Sequence, residues 1–205
     1  MPVTAAPHAA LVRRLFEIGA IRFGEFTLKS GIVSPFYVDL RVVVSYPDVL
    51  EQIGALMAQV VARCGGDRIA GIPYAGLPLA VAASLAGRMP LLYPRREEKG
   101  YGTRKRIEGL YRAGERVVVI DDIITDGASK FEAIGPLEEA GLVVRDLVIL
   151  IDREQGGREL LAARGYTLHS VLTISRCFDE AEAAGLADRA LVGEAREFLR
   201  AARFV

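Results

Sequence analysis

Neither sign of charge is in excess in this chain: 26 lysines and arginines stand against 26 aspartates and glutamates. A neutral chain has no electrostatic footprint for a polynucleotide, so no nucleic acid partner is expected. Cysteine is scarce. The two present, Cys64 and Cys177, lie far apart without metal-type spacing and read as free thiols in a reducing, cytoplasmic compartment. No segment approaches the ~20 consecutive apolar residues of a membrane span, and "MPVTAAPHAALVRRLFEIGAI" at the start sets its arginines inside an amphipathic pattern, not ahead of an apolar core. No membrane partner is expected. Internal repeats and low-complexity tracts are also absent.

What the chain does have is 205 residues, 51% of them hydrophobic, enough for one globular domain with a small appended lobe. Apolar positions at Leu11, Leu15, Phe16 and Ile18 predict an N-terminal helix. "FGEFTLKSG" and "SPFYVDL" predict a hairpin-like excursion, so that residues from 1 to about 45 form the minor lobe. A helix over 47–63 follows, ending at Gly65-Gly66. After it, strands ("RIAGI", "PLLYP", "RVVVID", "DLVILI", "HSVLTIS") alternate with helices, the last over 188–202. Gly135-Pro136 is expected to kink or split the helix over 127–140. Residues 94–109 are polar and glycine-bearing, without a clear period, and are expected to form a mobile loop.

Short apolar runs alternating with helices indicate an α/β fold, a parallel β-sheet flanked by helices on both faces. Ligands of such sheets bind beyond the carboxyl ends of the strands, which gathers residues 72–76, 94–109, 121–129 and 152–157 around one crevice. His8 and His169 fall outside it and are expected on the surface or as satisfied core residues.

Within that crevice, "VVVIDDIITDGASK" runs from an apolar strand into two acids and then into glycine and small hydroxyl residues. Asp121 and Asp122 can accept hydroxyl protons or face a Mg²⁺, while Thr125 to Ser129 can turn backbone N–H groups toward an anion. A strand leading to a capped helix is the plainer alternative. The stretch has no Gly-Lys-Ser/Thr ending, so nucleoside triphosphate hydrolysis has little support.

The run resembles the phosphoribosyl-pyrophosphate (PRPP) motif of type I phosphoribosyltransferases. Together with "RFGEFTLKSG", "SPFYVDLR", "GIPYAGLPLA", "RREEKGYGTRKRIEG" and "LIDREQGG" in this order, it is similar to orotate phosphoribosyltransferase, in the form found in bifunctional uridine monophosphate synthases. The resemblance covers the chain from about residue 10 onward. It implies the type I phosphoribosyltransferase fold with a hood lobe, and transfer of ribose 5-phosphate from PRPP to orotate, giving orotidine 5′-monophosphate and pyrophosphate. It also implies Mg²⁺, carried mainly by PRPP near Asp121 and Asp122 with no dedicated set of protein ligands. The expected assembly is a homodimer whose loops exchange between active sites, and association with an orotidine monophosphate decarboxylase is left open.

Residue roles follow from the same resemblance. Arg95, Arg96 and Lys99 match the basic positions of the catalytic loop, with Lys99 the principal stabiliser of transition-state charge. Tyr101 replaces a histidine common in the family, and Gly100 an aspartate. Asp121 and Asp122 match the ribose-binding acids. Tyr74 and Ala75 match the pyrophosphate loop, where many members carry lysine in place of Ala75. Ile123, Ile124, Thr125, Asp126, Gly127, Ala128 and Ser129 complete the PRPP motif. Lys29, Tyr37, Val38, Thr125 and Arg153 are implied on the orotate side, Lys29 also reaching pyrophosphate and Arg153 the orotate carboxylate. A surface ion pair of Arg153 with Asp152 or Glu154 is the alternative for that residue.

Asp126 departs from the small neutral or hydroxyl residue usual at its position. Its side chain is expected to face away from the phosphate, with only its amide serving the cradle, and Lys130 is expected to screen it. Two other functions remain open: a nucleotide-binding regulator on the same fold without turnover, and a purine or xanthine phosphoribosyltransferase.

Overall fold

A computed structural model of the chain describes residues 5–27, 31–95 and 106–201. Lys29, Arg96, Lys99, Gly100 and Tyr101 lie outside the described residues, as does most of the expected loop over 94–109.

Helix α1 (Ala5–Glu17) leads into an antiparallel pair, β1 (Ile21–Thr27) and β2 (Val33–Val38), and then a 3₁₀ turn (Leu40–Ser45). Helix α2 (Pro47–Cys64) precedes β3 (Arg68–Gly71), α3 (Gly76–Gly87), β4 (Leu91–Pro94) and the short β5 (Ile107–Glu108). Then come β6 (Arg116–Ile124), α4 (Lys130–Glu139), β7 (Val143–Asp152), α5 (Gly157–Ala163), β8 (Thr167–Thr173), α6 (Ile174–Ala183) and α7 (Arg189–Ala201). The larger sheet has the order β5-β4-β3-β6-β7-β8; β5 pairs antiparallel with β4 and the other pairings are parallel. The expected α/β architecture is observed, with one antiparallel edge strand added.

Period-2 alternation sends successive side chains of the central strands to opposite faces. Val118, Ile120, Val148 and Leu150 enter one core beneath α2 and α3, whereas Val117, Val119, Leu147 and Ile149 enter another with Ile134 and Leu137 of α4 and Leu161 of α5. Both faces are thereby covered, which is why these strands read as unbroken apolar runs. No described helix is long and apolar enough to cross a membrane.

The β1–β2 pair is tied to the end of the chain. Phe36 of β2 meets Phe178 of α6 and Phe198 of α7 edge-on at 5.1 and 6.0 Å, and Phe23 of β1 lies 5.4 Å from Phe178. Two expectations need correction. The "HSVLTIS" strand stops at Thr173, whose side chain accepts from Arg176 N and so starts α6. Helix α4 begins only at Lys130 and continues through Pro136 without splitting.

Candidate active site

The strand order reverses between β3 and β6, since the chain leaves β3 toward β4 on one side and returns to β6 on the other. A crevice beyond the carboxyl ends of these two strands is where such sheets bind ligands. There a cavity of about 220 Å³ is lined by Ile72 to Ala75, Pro94, Arg95, Asp121, Asp122, Ser129 and Glu132, among others. Close approach of α3 to β6 shapes its floor: a Cβ on Gly76 would lie 2.8 Å from both Asp121 Oδ1 and the Ile120 carbonyl, so only glycine fits.

Asp121 is 5% exposed at the end of β6. Its Oδ2 accepts from Lys130 Nζ at 2.5 Å and its Oδ1 from Asp122 N at 2.9 Å. The Lys130 ammonium, 6% exposed, also donates to the Ile123 carbonyl at 2.8 Å. Lys130 therefore does not screen Asp126; it is folded under the cradle against Asp121. The helical offset that would have brought it near Asp126 does not exist, because α4 starts at Lys130 itself.

Burial, and the Asp121 carboxylate beside it, push the Asp122 carboxyl from its ordinary 3.8 up to about 7. A carboxyl raised in the folded state stabilises the fold below its unfolded value and loses that contribution as pH climbs through the folded one. Asp122→Asn is therefore expected to gain stability relative to the parent chain as pH rises from about 4 to about 7, by up to a few kcal/mol. Unfolding midpoints of both chains across that range check this, and a constant difference would contradict it.

The segment after β6 has the cradle form. Gly127 is left-handed at φ +82°, and Gly157 lies where a Cβ would come within 2.7 Å of the Thr125 carbonyl, so the loop and the start of α5 touch backbone to backbone. Gly157 N donates to that carbonyl at 3.0 Å. Ile124 is fully buried in the core on the α4 side of the sheet and Ile123 packs against the core on the α2 side, and neither lines the cavity. Asp126 is exposed, and its Oδ1 accepts from Ala128 N at 3.1 Å, occupying one backbone donor of the segment.

Arg95 lines the cavity with its Nε 3.1 Å from Glu108 Oε1. On the other side of the cradle, Arg153 N donates to the Ile124 carbonyl at 3.0 Å, and the Arg153 guanidinium lies 5.1 Å from the centre of the Phe36 ring. Burial lowers its pKa, and its buried Nε has no hydrogen-bond partner among the described residues. The ion-pair alternative fails here. Asp152 accepts from Arg158 and from Glu154 N, and Glu154 from Ser175 N. Tyr37 stacks on Phe26 at 5.4 Å with Arg22 over its ring, and Val38 packs against the core.

The structure thus brings together Tyr74, Ala75, Arg95, Asp121, Asp122 and Ser129 around one cavity. Sequence reading missed two functional neighbours: Lys130 beneath Asp121 and Phe36 beneath Arg153. The first was legible only as a lysine after the cradle, and the second depends on β2 folding over a residue more than a hundred positions away. Far from this cavity, Cys64 Sγ, Asp146 and His169 converge within 4.8 Å near the opposite strand ends. Asp146 is already bonded to His169 Nε2 at 2.8 Å and faces Arg116, so His169 has the satisfied role expected of it.

No protein-family model matches the chain. Individual proteins do. The orotate phosphoribosyltransferase of Methanocella arvoryzae is 42% identical over 165 residues, 80% of this chain and 94% of that protein. The uridine 5′-monophosphate synthase of Bos taurus is 42% identical over 177 residues, 85% of this chain and 37% of that one. The solved structure of Leishmania donovani UMP synthase matches with a TM-score of 0.87 at 38% identity, covering 97% of this chain and 43% of that one. The chain spans about a third of the length of the first curated relatives it matches, 33 to 37%. Matching a protein of its own extent at 42% identity and sharing its fold with a UMP synthase, the chain belongs to the orotate phosphoribosyltransferase family.

Proposed function

We propose that the chain transfers ribose 5-phosphate from PRPP to orotate, giving orotidine 5′-monophosphate and pyrophosphate. The observation that carries the choice of base is Arg153, a half-buried arginine with a buried Nε donor left over beside the cradle. A planar, doubly donating cation suits the orotate carboxylate, which uracil and the purine bases do not have.

In this reading Asp121 and Asp122 accept from the ribose hydroxyls and hold the sugar. The N–H groups from Thr125 to Ser129 take the 5-phosphate, and the backbone at Tyr74 and Ala75 takes pyrophosphate. As the bond to the leaving group lengthens, the anomeric carbon becomes cationic and pyrophosphate gains negative charge, so fixed positive groups lower the barrier. Arg95, Arg96 and Lys99 supply them, with Tyr101 donating to phosphate. Lys29, Tyr37, Val38 and Thr125 border the pyrimidine, and closure of the loop excludes the water that would hydrolyse the sugar.

Mg²⁺ would neutralise pyrophosphate charge. The residues fit an ion brought in by PRPP: Asp121 has both oxygens engaged, by Lys130 and by Asp122 N, so the chain offers no ready cage of carboxylates.

A homodimer follows from the same reading and is supported by α3, which leaves Val81 46% and Leu85 76% exposed beside Leu50 and Pro47 in an apolar groove with α2. Cys64 and Cys177, both buried and free, suit a cytoplasmic site of action. Passing the product to an associated orotidine monophosphate decarboxylase fits the likeness to UMP synthases.

Asp126 makes a sharper prediction. For the phosphate to use Ala128 N–H, the Asp126 carboxylate must leave it and then remain near a dianion. Asp126→Thr is expected to lower KM for PRPP several-fold, about 1 kcal/mol, with the gain shrinking at high salt. An unchanged KM at low salt would take Ala128 N–H out of the phosphate site.

The test of the function as a whole is turnover of orotate by the purified chain with PRPP and Mg²⁺. Orotidine 5′-monophosphate should form, and PRPP binding without turnover would indicate a regulator instead.

A further inference from the structure

Lys130 stands where neither helix formation nor burial favours a lysine. It is the first residue of α4, at the positive end of the helix dipole, and it is buried without reaching bulk water. Both costs are offset by two acceptors only a strand end can provide: Asp121 Oδ2 at 2.5 Å and the Ile123 carbonyl at 2.8 Å. A buried ion pair of this kind gives little stability over well-packed apolar side chains of the same volume. What it does give is direction. With Oδ2 held by the ammonium and Oδ1 by Asp122 N, the Asp121 carboxylate cannot rotate, and its plane is set before any ligand arrives. The backbone completes the tie, because Lys130 N donates to the Gly127 carbonyl at 3.1 Å. The lysine thus spans the phosphate loop, its ammonium on the strand before it and its amide on the loop's glycine.

We infer that Lys130 is a positioning residue for PRPP, acting through Asp121, which it fixes in the orientation that receives the ribose. This rests on the proposed PRPP site and extends it to a residue that touches no substrate. If the lysine only filled the core, its loss would lower stability and leave the affinity of the folded chain unchanged. A residue acting through Asp121 has a different signature: its loss matters only while Asp121 is there to be positioned.

The experiment is a four-chain cycle of wild type, Lys130→Met, Asp121→Asn and the double variant. PRPP affinity is read by titration calorimetry with Mg²⁺, well below each chain's unfolding midpoint, and orotate turnover is read separately. Lys130→Met is expected to weaken PRPP binding about tenfold to a hundredfold, the scale of a misplaced binding group. In the Asp121→Asn background the same change should cost less than about threefold. Equal losses in both backgrounds, or wild-type affinity in Lys130→Met, would overturn the inference. If Lys130→Met alone does not fold, Asp121→Asn against the double variant decides it, since neither of those chains buries the Asp121 carboxylate without its cation. The two should bind PRPP alike, and a tenfold difference would refute the role. Wild type that binds PRPP without turning over orotate would remove the proposed reaction and leave the cycle to decide the lysine; wild type that does not bind PRPP would remove both.

Discussion

Arg153→Ala should lower kcat/KM for orotate by about two to four orders of magnitude, the range for deleting a desolvated, charge-assisted contact to a charged substrate group. The side chain is half-buried over Phe36, and its buried Nε has no hydrogen-bond partner among the described residues. In the proposed site no other described side chain is assigned to the orotate carboxylate, and a single water in place of the guanidinium would not restore a bidentate contact. Arg153→Lys should recover little, because an ammonium cannot donate along two parallel directions from that plane. Affinity for PRPP should change far less, since Arg153 is separated from Asp121 and the pyrophosphate loop by the cradle. Steady-state kinetics with each substrate varied in turn check this. A parallel fall in PRPP affinity would mean that the Arg153 side chain supports the cradle and not the base.

Lys99→Ala is expected to lower kcat by about two to three orders of magnitude while KM for PRPP moves only a few fold. Charge on pyrophosphate grows as the glycosidic bond breaks, so a cation brought against it contributes more in the transition state than in the ground state. The proposed homodimer adds a second readout. If each loop reaches its neighbour, a heterodimer of Lys99→Ala and Arg153→Ala chains has one site defective in both groups and one intact. An equal mixture should then regain about a quarter of wild-type activity, half the dimers being mixed with one working site of two. No recovery after verified subunit exchange would place each loop over its own subunit's site.

How much of this could be read in advance depended on the range of the interaction. The strand carrying Asp121-Asp122 was legible because a run buried on both faces must be continuously apolar, and its passage into acids and then glycine has few structural reasons. The cavity's place followed from the rule that ligands of such sheets bind beyond the carboxyl ends of the strands. A helix beginning at residue 127 would set Lys130 one turn from Asp126, which is the expectation the structure overturns. Starting at 130 instead, the helix leaves Ala128 and Ser129 in the loop and turns the lysine back under the strand. Helix α6 was missed because β8 passes into it without glycine or proline; only Thr173 as cap, with Cys177, Phe178 and Ala181 at helical spacing, signals the change. The ring cluster of Phe23, Phe36, Phe178 and Phe198 joins the two ends of the chain, and no local pattern encodes such a pairing.

The most direct measurement is the fall in orotate absorbance when the purified chain is supplied with PRPP and Mg²⁺, set against uracil, xanthine and hypoxanthine under the same conditions. With Arg153 receiving the carboxylate, orotate should be consumed and the three bases without that group should be used at least about a hundredfold less efficiently. Uracil turned over as efficiently as orotate, or a purine base preferred to it, would contradict the proposed role of the chain.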